Sequence, residues 1–235
     1  MKNGTGTIFL ALLSFSTAAF GQQAIFNVPS SDILDKGKVY LELDATFKVN
    51  SQAGLGRFSS FVPRIVIGVG GDVEVGVNLN GNIQPGADST TIVPNAKWKV
   101  YNGKDNGWSV VVGDGVYIPV RNKSYNIGNY AYTQVSKSFK SGTRITAGGY
   151  HFTKNVVAAN ADRAGGQFGF EQPINKYLNF NADWYTGKHA AGYFTPGFAF
   201  KIHPKVTGYA GYSIGNAGAS IGNHFFYTAI GWNLN

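Results

Sequence analysis

The residues best suited to acid–base or metal chemistry are four histidines, His151, His189, His203 and His224, and they are far apart in sequence. None falls in an HExxH arrangement or has a neighbouring ligand pattern that would specify zinc. The chain has no cysteine, which removes disulfides, thiolate metal sites and cysteine nucleophiles. Ser60, Ser109, Ser136 and Ser213 lie in no GxSxG elbow, so none stands out as a nucleophile. The GVGG of residues 68–71 lacks the helix and the Lys-Ser/Thr pair of a phosphate loop, and the acidic residues are too scattered for a calcium loop. The sequence therefore assigns no catalytic residue, no metal and no cofactor. What remains is electrostatic chemistry. Glu42, Asp44, Arg64, Asp72, Glu74, Lys97, Lys99, Arg144, Glu171, Asp183 and Lys201 each fall on the polar side of an alternating segment.

Those segments define the fold. In DVEVGVNLN, residues 72–80, Val73, Val75, Val77 and Leu79 take one side of an extended chain, opposite Asp72, Glu74, Gly76 and Asn78. VYLELDATFKV, residues 39–49, alternates in the same way. Ten more segments follow, over 61–69, 92–101, 108–120, 129–139, 142–152, 165–173, 177–187, 191–202, 205–214 and 224–234. Many approach the roughly 9–11 residues that cross a hydrocarbon layer at a tilt. Ten of the eleven connections alternate short and long, the exception being the ninth, Lys188-His189-Ala190, which reads as short. That rhythm predicts an all-β protein, a single antiparallel up-and-down transmembrane β-barrel of about twelve strands, with both chain ends at the short-turn end.

Composition agrees with this. Charged residues are 14% of the chain, below the roughly 25% of ordinary soluble domains, while aromatics are 14% and glycine supplies 32 residues. If the apolar sides meet lipid, the charged residues named above point into the lumen, where Arg64 can bridge Glu42 and Asp44 on one side and Asp72 and Glu74 on the other. Trp98, Trp184, Tyr212, Phe226 and Trp232 then share the outward side. A bulge is expected near Gly113-Asp114-Gly115, where the alternation breaks. Pro63, Pro94 and Pro196 are expected at strand ends or bulges, because proline has no amide donor.

Three regions are expected. Residues 1–21 form a signal peptide, since a short apolar run ends at Ala19-Phe20-Gly21. Cleavage there removes Lys2 and leaves 19 basic against 12 acidic residues. Residues 22–36 form a periplasmic N-terminal segment, and residues 37–235 form the barrel. A lumen of twelve strands is wider than the eight-strand case that side chains fill. It can be open, narrow, or plugged by Ile25 to Asp35.

The stretch FNVPSSDILDKGKVYLELDATF, residues 26–47, resembles the opening of small Gram-negative outer-membrane β-barrels of the porin-like kind. PRIVIGVGGDVEVGVNL, residues 63–79, is similar to their second hairpin, with a basic residue, a glycine turn and an acidic residue. The resemblance extends to transporters linked to aromatic-compound degradation. It covers residues 26–80 well and the remainder as strand rhythm. The chain ends in GWNLN, where such barrels commonly end in an aromatic residue. The resemblance implies residence in the cell outer membrane and passage of small solutes, and it carries over no catalytic residue.

The leading expectation is an outer-membrane barrel that acts as a passive or weakly selective channel, with outer-membrane lipid and a small solute as partners. The alternatives are a structural or adhesive barrel acting through its loops, and a soluble exported β-barrel that binds a small ligand. No Arg/Lys-rich stripe or finger pattern points to nucleic acid.

Overall fold

The structure, a computed structural model, describes residues 24–48, 58–83, 89–121, 126–217 and 224–234. The expected signal peptide lies outside them. Twelve strands run β1 (Val39–Lys48), β2 (Phe58–Gly70), β3 (Val73–Ile83), β4 (Ser89–Asn102), β5 (Trp108–Arg121), β6 (Gly128–Ser138), β7 (Arg144–Phe152), β8 (Ala164–Asn175), β9 (Leu178–Tyr185), β10 (Tyr193–His203), β11 (Val206–Gly215) and β12 (Phe225–Asn233). Each pairs antiparallel with its sequence neighbours, and β1 closes on β12 from Tyr40↔Asn233 to Phe47↔Phe226. Closure leaves no unpaired sheet edge, the condition for β-structure to cross a bilayer.

The alternation sorts inside from outside. On β1, Tyr40, Glu42 and Asp44 are buried inward while Leu43 stands exposed outward. Val75, Val77 and Leu79 of β3 are likewise exposed, whereas Leu41 and Val73 are only half-exposed. Trp98, Trp184, Tyr212, Phe226 and Trp232 all lie exposed on the outer face. Thirty-odd large apolar side chains on the outside of a closed sheet would be untenable in water. Facing hydrocarbon they form the belt of an outer-membrane barrel.

Three local expectations are corrected. The ninth connection is not short: β9 ends at Tyr185 and β10 starts at Tyr193, so it spans residues 186–192, and no odd-numbered connection is shorter than any even-numbered one. No bulge occurs at Gly113-Asp114-Gly115, which pair in unbroken register with Lys97, Ala96 and Asn95. Asp114 Oδ2 accepts a 2.8 Å bond from Asn129 Nδ2 of the next strand. Irregularities in register fall elsewhere, at Thr90/Thr91 and Lys99/Tyr101 of β4 and near the ends of β2, β8 and β10. Pro63, Pro94 and Pro196 sit inside strands, each paired on one side, to Leu43, Val77 and Ala182. On the other side each lies at a gap in the ladder that leaves the register unchanged, as a missing donor requires.

Candidate solute path in the lumen

Antiparallel register brings three of the inward charges directly opposite a partner: Glu42↔Arg64, Glu74↔Lys97 and Arg144↔Glu171. Such cross-strand neighbours stand close enough for their side chains to pair. Arg64 Nη1 lies 3.2 Å from Glu42 Oε1, and its Nη2 also bonds Asp44. Lys97 Nζ lies 2.9 Å from Glu74 Oε1. Arg144 holds Glu171 through Nε and Nη2, at 2.5 and 2.6 Å. Arg64 of β2 therefore pairs with the carboxylates of β1 and does not reach across to those of β3. Asp72 is no part of the wall: it sits exposed in the β2–β3 turn with φ 58°, and its carbonyl accepts the Lys99 amide at 2.9 Å. Lys99 and Lys201 are half-exposed near the short-turn end.

The remaining bonds of these groups go to the N-terminal segment, which lies inside the barrel. Asp183 Oδ2 accepts the backbone amides of Phe26, Asn27 and Val28 at 2.9, 2.6 and 2.7 Å. Three converging N–H donors form an anion nest, and here the anion is a wall carboxylate. Further along, Lys97 Nζ donates to Ser30 O at 3.2 Å, and Glu74 Oε2 accepts the Leu34 amide at 2.9 Å. Arg144 takes Asp32 with a bidentate fork of 2.6 and 2.9 Å. Residues 30–35 are thus fastened to β3, β4 and β7, on separate parts of the wall, and form a strap across the short-turn end.

Apolar packing follows the same path. The three buried clusters are Ile25, Phe26, Ala199, Tyr209 and Tyr227; Val28, Tyr130, Tyr150, Phe152 and Tyr185; and Leu34, Tyr40 and Val66. Each contains part of the N-terminal segment. Glycines let the segment lie close to the wall. A β-carbon on Gly169 would overlap Ile25, one on Gly197 would come within 2.8 Å of the Phe26 ring, and one on Gly68 would overlap the carbonyl oxygens of Leu34 and Asp35. The positions that the segment contributes, Ser30, Asp32 and Leu34, were invisible to the strand rhythm. PSSD carries no alternation, and a contact between residues 112 apart has no local signature.

Between the segment and strands β1–β6 lies a cavity of about 290 Å³. It reaches from the Glu74–Lys97 pair to Ala191 of the 186–192 connection, past Asn78, Asn95 and Tyr132. Among the described residues no group of three His, Cys, Asp or Glu could hold a metal ion.

No protein-family model matches the chain, and no curated protein matches it. Solved structures do. An outer membrane channel from Pseudomonas putida F1 superposes with a TM-score of 0.51 at 10% identity, covering 86% of this chain and 97% of that one. Outer membrane phospholipase A from Escherichia coli gives 0.48 at 13% identity, covering 85% and 90%. The translocator domain of the autotransporter NalP from Neisseria meningitidis gives 0.43 at 12% identity, covering 85% and 89%. At these identities the likeness is one of fold, that of an outer-membrane β-barrel.

Proposed function

We propose that the protein is a passive channel for small solutes, held closed at its short-turn end by residues 25–35. The observation that carries this reading is how the segment is held. Beside its apolar packing, the segment is fastened to the wall by charge-assisted hydrogen bonds, with Asp183 and Glu74 accepting its amides and Lys97 and Arg144 donating to it. Contacts of this kind exchange readily with water. A barrel that served only as a scaffold would gain more from an apolar filling, because burying ion pairs costs desolvation. The cavity beside the segment supplies the start of a path. The fold likeness to an outer membrane channel supports a general transport role, and the reading includes no catalysis.

The test is planar-bilayer conductance of the whole barrel and of a variant lacking residues 25–35. Wild type should show rare, brief openings, and the deletion should conduct steadily. Absence of conductance from the folded deletion variant would overturn the channel and favour a structural barrel. The resemblance to transporters linked to aromatic-compound degradation makes an aromatic carboxylate a necessary member of any solute panel.

A further inference from the structure

The short-turn end is basic around its whole circumference. Four of the five short connections carry a lysine: Lys104 between β4 and β5, Lys140 between β6 and β7, Lys176 between β8 and β9, and Lys205 between β10 and β11. Lys36 and Lys38 add two more where the chain enters β1. The acids set against them among the described residues are Asp35, Asp72 and Asp105. Lys36, Lys38, Lys104, Lys140 and Lys176 are all exposed, and among the described residues none of the five has an ion-pair partner. The same end is rich in exposed rings. Trp98, Tyr101, Trp108, Tyr177 and Trp232 lie there, each about half exposed. Two of these rings carry an ammonium, with Lys137 Nζ 5.1 Å from the centre of Trp108 and Lys176 Nζ 4.8 Å from that of Tyr177. Rings that meet hydrocarbon below and a cation above mark the level where acyl chains give way to headgroups.

We infer that the short-turn rim binds anionic phospholipid, holding headgroup phosphates on its lysines in the leaflet that it meets. The rim continues the lipid-facing belt, so the acyl chains of a bound lipid lie on the aromatic face while its phosphate reaches the ammonium groups. A lysine is a point charge on a flexible stem and accepts a phosphate from many directions, as a fluid headgroup layer demands. The lysines are spread from turn to turn and are not gathered at one spot, which suits a surrounding membrane better than a single docked polypeptide. An anionic surface attracts such residues, and salt screens the attraction. The inference does not depend on the lumen conducting.

The experiment is tryptophan quenching of the whole folded barrel in phosphatidylcholine vesicles, with either brominated phosphatidylglycerol or brominated phosphatidylcholine as the quencher. Three of the four tryptophans, Trp98, Trp108 and Trp232, lie at this end and report on it. At low salt, phosphatidylglycerol should be preferred by roughly fivefold, the scale of one engaged lysine, and the preference should vanish in concentrated salt. Lys104→Gln, Lys140→Gln and Lys176→Gln combined should bring it close to one. Lys154→Gln with Lys188→Gln, both exposed at the long-loop end, should leave it as in wild type. Heat-modifiability on a gel confirms that each variant is folded. Equal quenching by the two lipids, a preference that survives in the triple variant, or one lost in the long-loop pair would overturn the inference. So would binding of added polyglutamate to the barrel in phosphatidylcholine vesicles without any lipid preference, which would give the rim to an acidic polypeptide.

Discussion

Arg144 of β7 clasps Asp32 of the N-terminal segment through two parallel bonds, Nη1 to Oδ1 at 2.6 Å and Nη2 to Oδ2 at 2.9 Å, while Glu171 of β8 holds its other edge. Glu171 and Arg144 are both wall residues, paired directly across β7 and β8. Asp32 is the removable third member.

Asp32→Asn should therefore loosen the strap and leave the wall intact. The neutral amide turns donors toward a guanidinium that has only donors. Losing charge-assisted bonds worth roughly 1.5–3 kcal/mol would shift a closed–open equilibrium by about ten- to a hundredfold. Single-channel recording should show a higher open probability at unchanged open-state conductance. An unchanged open probability would mean that the strap is held elsewhere.

Gly68 offers a steric version of the same test. Its backbone exchanges bonds with the chain entering the barrel, Gly37 N to Gly68 O at 2.8 Å and Gly68 N to Lys38 O at 3.0 Å. A β-carbon there would also come within 2.7 Å of the Asp35 carbonyl carbon. Gly68 is not at positive φ, so alanine suits β2 itself and only the strap must yield. Gly68→Ala should fold and resist SDS until heated, yet open more often than wild type. Gly71, at φ 66° with open space around it, serves as the contrast: alanine there strains a turn without touching the strap.

The outer face is tested at Val75, which is 40% exposed and flanked by Ile67 and Ala96 in register. Val75→Arg should destabilise the barrel by roughly 2–4 kcal/mol if the site lies near mid-depth, read from urea-dependent folding into vesicles. A cost near zero would place Val75 in water and end the membrane reading.

Strand number, closure and the inward side of β1 and β3 were legible because lipid on one face and a polar lumen on the other impose strict alternation. The errors came where that rule was pressed too far. A bulge is expected at Gly113-Asp114-Gly115, where the alternation breaks; the strand runs straight there, and Asn129 bonds the Asp114 carboxylate. Pro196 is expected at a strand end or bulge, yet it sits inside β10, where the ladder drops a pairing toward β11 while its pairing to β9 holds it. Arg64 was expected to bridge two neighbours, but cross-strand register gives it Glu42 and leaves Glu74 to Lys97. The strap's partners were illegible for a different reason. Periodicity reports which side a strand residue faces, and it is silent about what an irregular segment touches once inside.

The long-loop end carries its own sensitivity, to acid. His189 is fully buried in the 186–192 connection, and burial holds its imidazole below the ordinary histidine value of 6.5. Its contacts fix the neutral form. Nδ1 accepts the Ala191 amide at 3.2 Å, so the proton sits on Nε2, facing Thr186 O at 3.0 Å and the Tyr150 hydroxyl at 2.6 Å. Tyr150 in turn donates to Thr186 O at 2.6 Å. Protonating Nδ1 would set two N–H groups against each other. The stabilisation is whole above about pH 6.5, where the folded and unfolded histidines are both neutral. It falls as pH drops below that, because the unfolded chain takes up a proton that the folded loop refuses. The thermal midpoint of wild type should therefore decline between pH 7.5 and 5 by more than that of His189→Gln, which has no imidazole to titrate. Parallel declines in the two proteins would show that the 186–192 connection opens without cost, and that His189 does not hold it.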